Sequence, residues 1–223
     1  MKATHATGFH KAWRWGGLLI LGIAYSVLAH LAAASTRPDR LDALVAVTPL
    51  LGVTFLMAWR SSQRTIMLAL WVAACAGLYG ASAWLVAHYN WVFLLQHASV
   101  YALLCVAFGR TLRSGRTPMV TGLAHMVHRT MSPALISYTR SVTWAWTLYF
   151  GCISGLSLLL FWLAPIAIWS AFANLLDIPL LALMFVGEYA VRCYVLPAED
   201  RAGPLDAIRA YRQASSSGRA RQP

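Results

Sequence analysis

Apolar residues in this chain fall in blocks of about twenty, the length an α-helix needs to cross a hydrocarbon core of ~30 Å at ~1.5 Å per residue. The blocks cover residues 15–35, 41–59, 65–87, 91–109, 142–163 and 166–191. Only His88, Tyr89 and Asn90 separate the third from the fourth, so the pattern predicts a tight hairpin there. Ala164 and Pro165 make the turn between the fifth and sixth. The predicted fold class is all-α: a polytopic helical membrane protein of about six transmembrane helices.

The longest polar interval, 110–141, is amphipathic in its middle. Met119, Val120, Leu123, Met126 and Val127 recur at helical spacing, with His125, His128 and Arg129 on the other face. That pattern predicts a helix lying in the cytoplasmic interface. Ser132-Pro133 reads as a helix start, Ser as N-cap and Pro at the first helical position, leading directly into the fifth span. The domain layout is then a basic cytoplasmic N-terminus (1–14), a transmembrane domain (15–191) and a basic, largely disordered tail (192–223). One short surface helix is expected in the tail, at 204–214.

Composition agrees with the pattern. Hydrophobic residues make up 59% of the chain and charged residues 11%, against about 25% charged in a soluble domain. Ten Trp and nine Tyr fit interfacial aromatic belts. The net charge of +11 suggests nucleic acid, but the basic residues lie between apolar blocks rather than on one soluble face, so no nucleic-acid partner is expected. With the N-terminus inside, the cytoplasmic segments hold sixteen of the eighteen Lys and Arg, and only Arg37 and Arg40 lie outside. This bias predicts both termini in the cytoplasm of a bacterial inner membrane and favours an even number of spans. The first block is longer than a signal-peptide core of about 7–15 residues, so an uncleaved first helix is expected despite Ala32-Ala33-Ala34.

The four cysteines lack C-x-x-C spacing, and no P-loop, G-x-S-x-G or H-E-x-x-H motif occurs. No cofactor and no metal are expected. Chemistry must come from ionisable groups inside the apolar blocks, each of which needs a reason to be there. Asp177 lies about eleven residues into the sixth block, roughly 16 Å deep. It belongs to Asn174-Leu175-Leu176-Asp177-Ile178-Pro179, where Pro179 frees a backbone carbonyl and Asp177 is placed to cap a new half-helix, a transporter-like device. The plainer alternative is a Pro-kinked helix with Asn174 and Asp177 bonded to its neighbours. His30 and His97 fall at similar depths, so these residues could form one substrate-binding or proton-relay cluster.

Glu188 and Arg192, spaced i,i+4, read as an ion pair anchoring the helix end. His125 and His128 are more plausible among lipid head groups than on a metal. Gly151 and Gly155 form a G-x-x-x-G, a close-packing surface that could support a homo-oligomer.

Gly109-Arg110-Thr111-Leu112 with Pro118, Val142-Thr143-Trp144-Ala145-Trp146-Thr147, Phe172-Ala173-Asn174 and Glu188-Tyr189-Ala190-Val191-Arg192 resemble a family of small bacterial inner-membrane proteins. That family is often encoded among fatty-acid-synthase-like enzymes of aryl polyene or xanthomonadin-type pigment clusters. The resemblance covers roughly the second half of the chain and implies a pathway without assigning catalytic residues.

Three functions follow as expectations. The first is an accessory membrane component of polyene or fatty-acid-like lipid or pigment biosynthesis. It would accommodate the acyl product, or use Arg110, Arg113, Arg116 and Arg129 to face lipid, an acyl carrier protein or soluble synthase enzymes. The second is a transporter or flippase of a lipid-like product, with a midplane site at Asp177. The third is a membrane-embedded acyl or prenyl transferase using Glu188, His125 or His128.

Overall fold

The computed structural model describes residues 4–126 and 131–197, with side chains from residue 16 onward, Leu18 excepted. Helices run over Thr4–Ala33 (α1), Arg40–Arg60 (α2), Arg64–Gly80 (α3), Ser82–Thr111 (α4), Met119–His125 (α5), Pro133–Leu163 (α6), Ile166–Ser170 (α7) and Asp177–Val195 (α8). A π-helical segment, Ala171–Leu176, joins α7 to α8. No strand occurs among the described residues.

Four of these stretches are long and apolar enough to cross a membrane: α2, α4, α6 and the continuous run Ile166–Val195. The apolar part of α1, Leu19–Ala33, and α3 are shorter. Leu19, Leu103, Leu159 and Leu183 are each more than half exposed. Large apolar side chains this exposed along such long helices suit hydrocarbon rather than water. The chain is an all-helical membrane protein.

Three boundaries differ from the hydropathy reading. His88, Tyr89 and Asn90 are not a turn but lie inside α4, where the Trp84 carbonyl and the His88 ring are bonded at 2.9 Å. The break sits at Ala81, the single residue between α3 and α4, with φ −88° and ψ 11°. Antiparallel helices are joined by about two to five loop residues, so one residue this close to helical geometry bends the chain rather than closing the hairpin expected. At the N-terminus α1 begins at Thr4, well before the apolar block that starts at residue 15. At the other end α8 continues to Val195, so the first residues assigned to the tail are helical. The helix expected at 204–214 lies outside the described residues.

The chain divides into two compact units, residues 1–97 with 157–178 and residues 98–156 with 179–223. In the first, α1 packs against α2, α7 and the π segment, and α2 against α3. Asp39 starts α2 with a capping box: its carboxylate accepts from the Leu41 and Asp42 N–H groups, and Asp42 accepts from the Asp39 N–H. Pro49 inside α2 has no N–H, which strips the Val45 carbonyl of its helical donor. The Tyr25 hydroxyl replaces it, donating to that carbonyl at 3.2 Å, and Gln96 Nε2 donates to the neighbouring Ala46 carbonyl at 2.7 Å. Within hydrocarbon such replacement is what makes an interior proline tolerable.

In the second unit threonines perform a similar service. The first N–H groups of α5, at Met119 and Val120, donate to the hydroxyls of Thr111 on α4 and Thr143 on α6. Thr121 and Thr139 join hydroxyl to hydroxyl at 2.8 Å. So α5 docks through its first backbone N–H groups and Thr121, while Leu123 and Met126, expected on its apolar face, are exposed, as is His125. Val127, His128 and Arg129 lie outside the described residues. Ser132 caps α6 as expected, its hydroxyl accepting the Leu135 N–H at 3.1 Å. The Gly151–Gly155 motif splits. A Cβ on Gly151 would stand 3.3 Å from Cys105 Sγ on α4, whereas one on Gly155 would meet nothing within 4 Å. Gly151 therefore serves a contact inside the chain, which leaves the oligomer surface expected of the pair only its Gly155 half.

Candidate functional site

Ser157 on α6, Trp169 on α7 and Ser170 are fully buried in the first unit. Around them the structure gathers His30 from α1, His97 from α4, Asn174 from the π segment and Asp177 from the start of α8. His97 Nε2 lies 3.4 Å from Asp177 Oδ1, and His97 Nδ1 lies 3.0 Å from Ser157 Oγ. Trp169 Nε1 donates to the same Ser157 Oγ at 3.1 Å. The Phe172 ring stands edge-on to the imidazole, centroids 5.8 Å apart.

His30 takes part through Ser170. Its Nδ1 lies 2.9 Å from Ser170 Oγ, whose hydroxyl is also 3.2 Å from the His30 carbonyl. Asn174 Nδ2 donates to the Ser170 carbonyl at 3.0 Å and to its Oγ at 3.3 Å. Because Trp169 and Ser170 are adjacent in sequence, one turn of α7 presents both hydrogen-bonded arms, one toward α1 and the other toward α6 and α4.

The local backbone departs from the half-helix expected at Asp177-Ile178-Pro179. Asp177 is itself helical, φ −55° and ψ −54°, so the helix is not broken there. The distortion lies one turn earlier, as six residues of π-helix immediately before Asp177. Pro179 accounts for its position. Its ring clashes with, and cannot donate to, the carbonyl of Leu175, and a widened turn accommodates both. Short π stretches within α-helices occur frequently at functional sites.

Chemically the centre is an imidazole against a carboxylate, about one-tenth and one-quarter exposed as side chains. Their 3.4 Å separation exceeds the about 2.7–3.2 Å of a well-formed N–H···O bond. The pair can hold or exchange a proton, or bond a polar group brought to it. Among the described residues no three His, Cys, Asp or Glu side chains converge as a metal site.

The remaining sequence candidates lie in the second unit. Glu188 and Arg192 form the expected ion pair, with Arg192 Nη2 2.8 Å from Oε1 and 3.0 Å from Oε2. Tyr138, which sequence reasoning missed, donates its hydroxyl to the same Oε1 at 2.9 Å. Arg110, Arg113 and Arg116 are exposed, as is His125. Ser157, Trp169 and Ser170 were also missed. Nothing distinguishes the two serines from packing residues in sequence, and Trp169 reads as one more belt tryptophan although it is wholly buried.

No family model matches the chain, and no curated protein or solved structure matches it.

Proposed function

We propose that the protein is a bacterial inner-membrane component of a fatty-acid-like or polyene lipid pathway, crossing the membrane an even number of times with both termini in the cytoplasm. In this reading it binds or moves an amphiphilic acyl product at the His97–Asp177 pair. The observation that carries the proposal is the carboxylate of Asp177, set beside His97 within apolar stretches of α8 and α4 and reached through a π segment. An ionisable side chain inside a membrane is costly and is retained where it acts. The chain's resemblance to pigment-cluster membrane proteins supplies the acyl character of the product.

The test is a lipid and pigment extract of a deletion strain, complemented with wild type or Asp177→Asn. Loss or accumulation of an acyl species on deletion, with failure of Asp177→Asn to restore it, is the expected result. Full restoration by Asp177→Asn would end the case for a site at Asp177.

A scaffold role is the second reading. What favours it is α5, held by threonines with Leu123 and Met126 outward, beside the exposed Arg110, Arg113 and Arg116. Such a surface suits anionic lipid or an acidic carrier protein. Loss of function on Arg110, Arg113 and Arg116 substitution, with Asp177→Asn tolerated, would select it. The transferase reading is the weakest, because Glu188 is committed to Arg192 and Tyr138.

A further inference from the structure

Ser157 is the fully buried link between Trp169 and His97, and its hydroxyl has one proton to place. An indole N–H can only donate, so Trp169 takes up one lone pair of Ser157 Oγ. Of the two partners only His97 Nδ1 can accept the Ser157 proton. We infer that Trp169 and Ser157 fix His97 as one neutral tautomer, Nδ1 accepting from Ser157 and Nε2 carrying its proton toward Asp177. An imidazolium, or the other tautomer, would make Nδ1 a donor and leave the Ser157 proton without an acceptor.

His30 shows what the absence of such a lock looks like. Ser170 Oγ also accepts an N–H, from Asn174. Its own proton, however, has two acceptors in reach, His30 Nδ1 and the His30 carbonyl. Ser170 is therefore satisfied with either nitrogen of His30 protonated. The two His–Ser pairs look alike, yet only His97 is pinned.

Trp169 contributes by holding the Ser157 oxygen away from its own helix. Serines in membrane helices otherwise turn their hydroxyl back onto the carbonyl four residues earlier. Removing either residue frees His97. Among the described contacts, Asp177 on α8 brings a charge to His97, while α6, α7 and the π segment present Ser157, Trp169 and Phe172. His97 is thus a positioning residue, and proton exchange at the pair falls to the Asp177 carboxylate.

The consequence for ligand class rests on the reading of Asp177 as the functional site. A carboxylate beside a neutral imidazole suits the hydroxyl of an alcohol or phenol, or another hydrogen-bond donor, and rejects a carboxylate or phosphate head.

The tautomer is directly observable. Protein carrying nitrogen-15 histidine, reconstituted in lipid nanodiscs at neutral pH, should show His97 (assigned by its loss in His97→Gln) with a protonated Nε2 and a bare Nδ1. Ser157→Ala and Trp169→Phe should each bring in the second tautomer or the imidazolium, with the His30 signals unmoved by Ser157→Ala. A protonated Nδ1 in the wild type overturns the inference, as does a His97 signature unchanged in both variants. Failure of the functional site would appear elsewhere, as complementation by Asp177→Asn with the tautomer still fixed.

Discussion

Tyr138 and Glu188 meet twice: the phenol hydroxyl lies 2.9 Å from the carboxylate Oε1 and 3.1 Å from the backbone carbonyl of the same residue. One side chain of α6 thereby holds both the charge and the helix backbone of α8, while Arg192 closes the carboxylate from the next turn. Tyr138→Phe should destabilise the protein in detergent by about 1 kcal/mol, the net value of a hydrogen bond. Arg192→Met should cost more, up to about 3 kcal/mol, because it leaves a largely enclosed carboxylate, about one-tenth exposed, without its counter-charge. Glu188→Gln should restore much of the loss in the Arg192→Met background. Thermal unfolding of the four proteins checks the order, and equal losses in Tyr138→Phe and Arg192→Met would contradict it.

Pro49 and Tyr25 form a coupled pair of a different kind. Tyr25→Phe removes the hydroxyl from the Val45 carbonyl that Pro49 stripped, and should cost about 1 kcal/mol. In a Pro49→Ala background the residue 49 N–H can bond Val45 itself. There the Tyr25 substitution should be nearly silent, a coupling of about 0.5 kcal/mol or more in a double-mutant cycle. Simple additivity would show that the hydroxyl does not stand in for the missing helical donor.

The two glycines of the fifth span should respond oppositely. Gly151→Ala pushes a methyl against Cys105 Sγ at 3.3 Å and should cost about 1 kcal/mol by overpacking. Cys105→Ala should relieve that cost. Gly155→Ala meets nothing and should be neutral or slightly stabilising, since alanine is the better helix former. A larger loss at Gly155 than at Gly151 would point to a partner chain on that face.

Topology can be read with reporters. A fusion after Pro223 should be active only in the cytoplasm, and activity only in the periplasm would overturn the orientation.

Period and length made most helices legible. The start of α6 was visible because Ser-Pro has one physical meaning at a helix entrance, and the Glu188–Arg192 pair because i,i+4 is fixed by helical geometry. The false hairpin at His88, Tyr89 and Asn90 arose because hydropathy counts polarity without seeing where it is satisfied. Tyr89 is buried and donates to the Ser35 carbonyl, and His88 stacks on Trp84 within its own helix. Asp39-x-x-Asp42 has the spacing of a capping box and was readable in sequence. For the candidate site, the ionisable members were visible because charge in an apolar block stands out. Ser157, Ser170 and Trp169 were not, because their importance depends on which neighbours share a level in the fold, and a single sequence does not state that.

The π segment also sets the direction in which the site points. Residues seven apart in a regular α-helix sit on nearly the same stripe, because two turns at about 3.6 residues each consume almost the whole interval. Ser170 and Asp177 are seven apart, so an unbroken α-helix would aim both at α1, where Ser170 finds His30. Six residues wound more loosely lag behind that phase, and Asp177 comes out facing His97 on α4 instead. The loose turn works as an angular offset between two ends of one helix. Were it to tighten into regular α geometry, the carboxylate would swing away from the imidazole with no helix needing to slide, so the same stretch of backbone that builds the pair could also uncouple it.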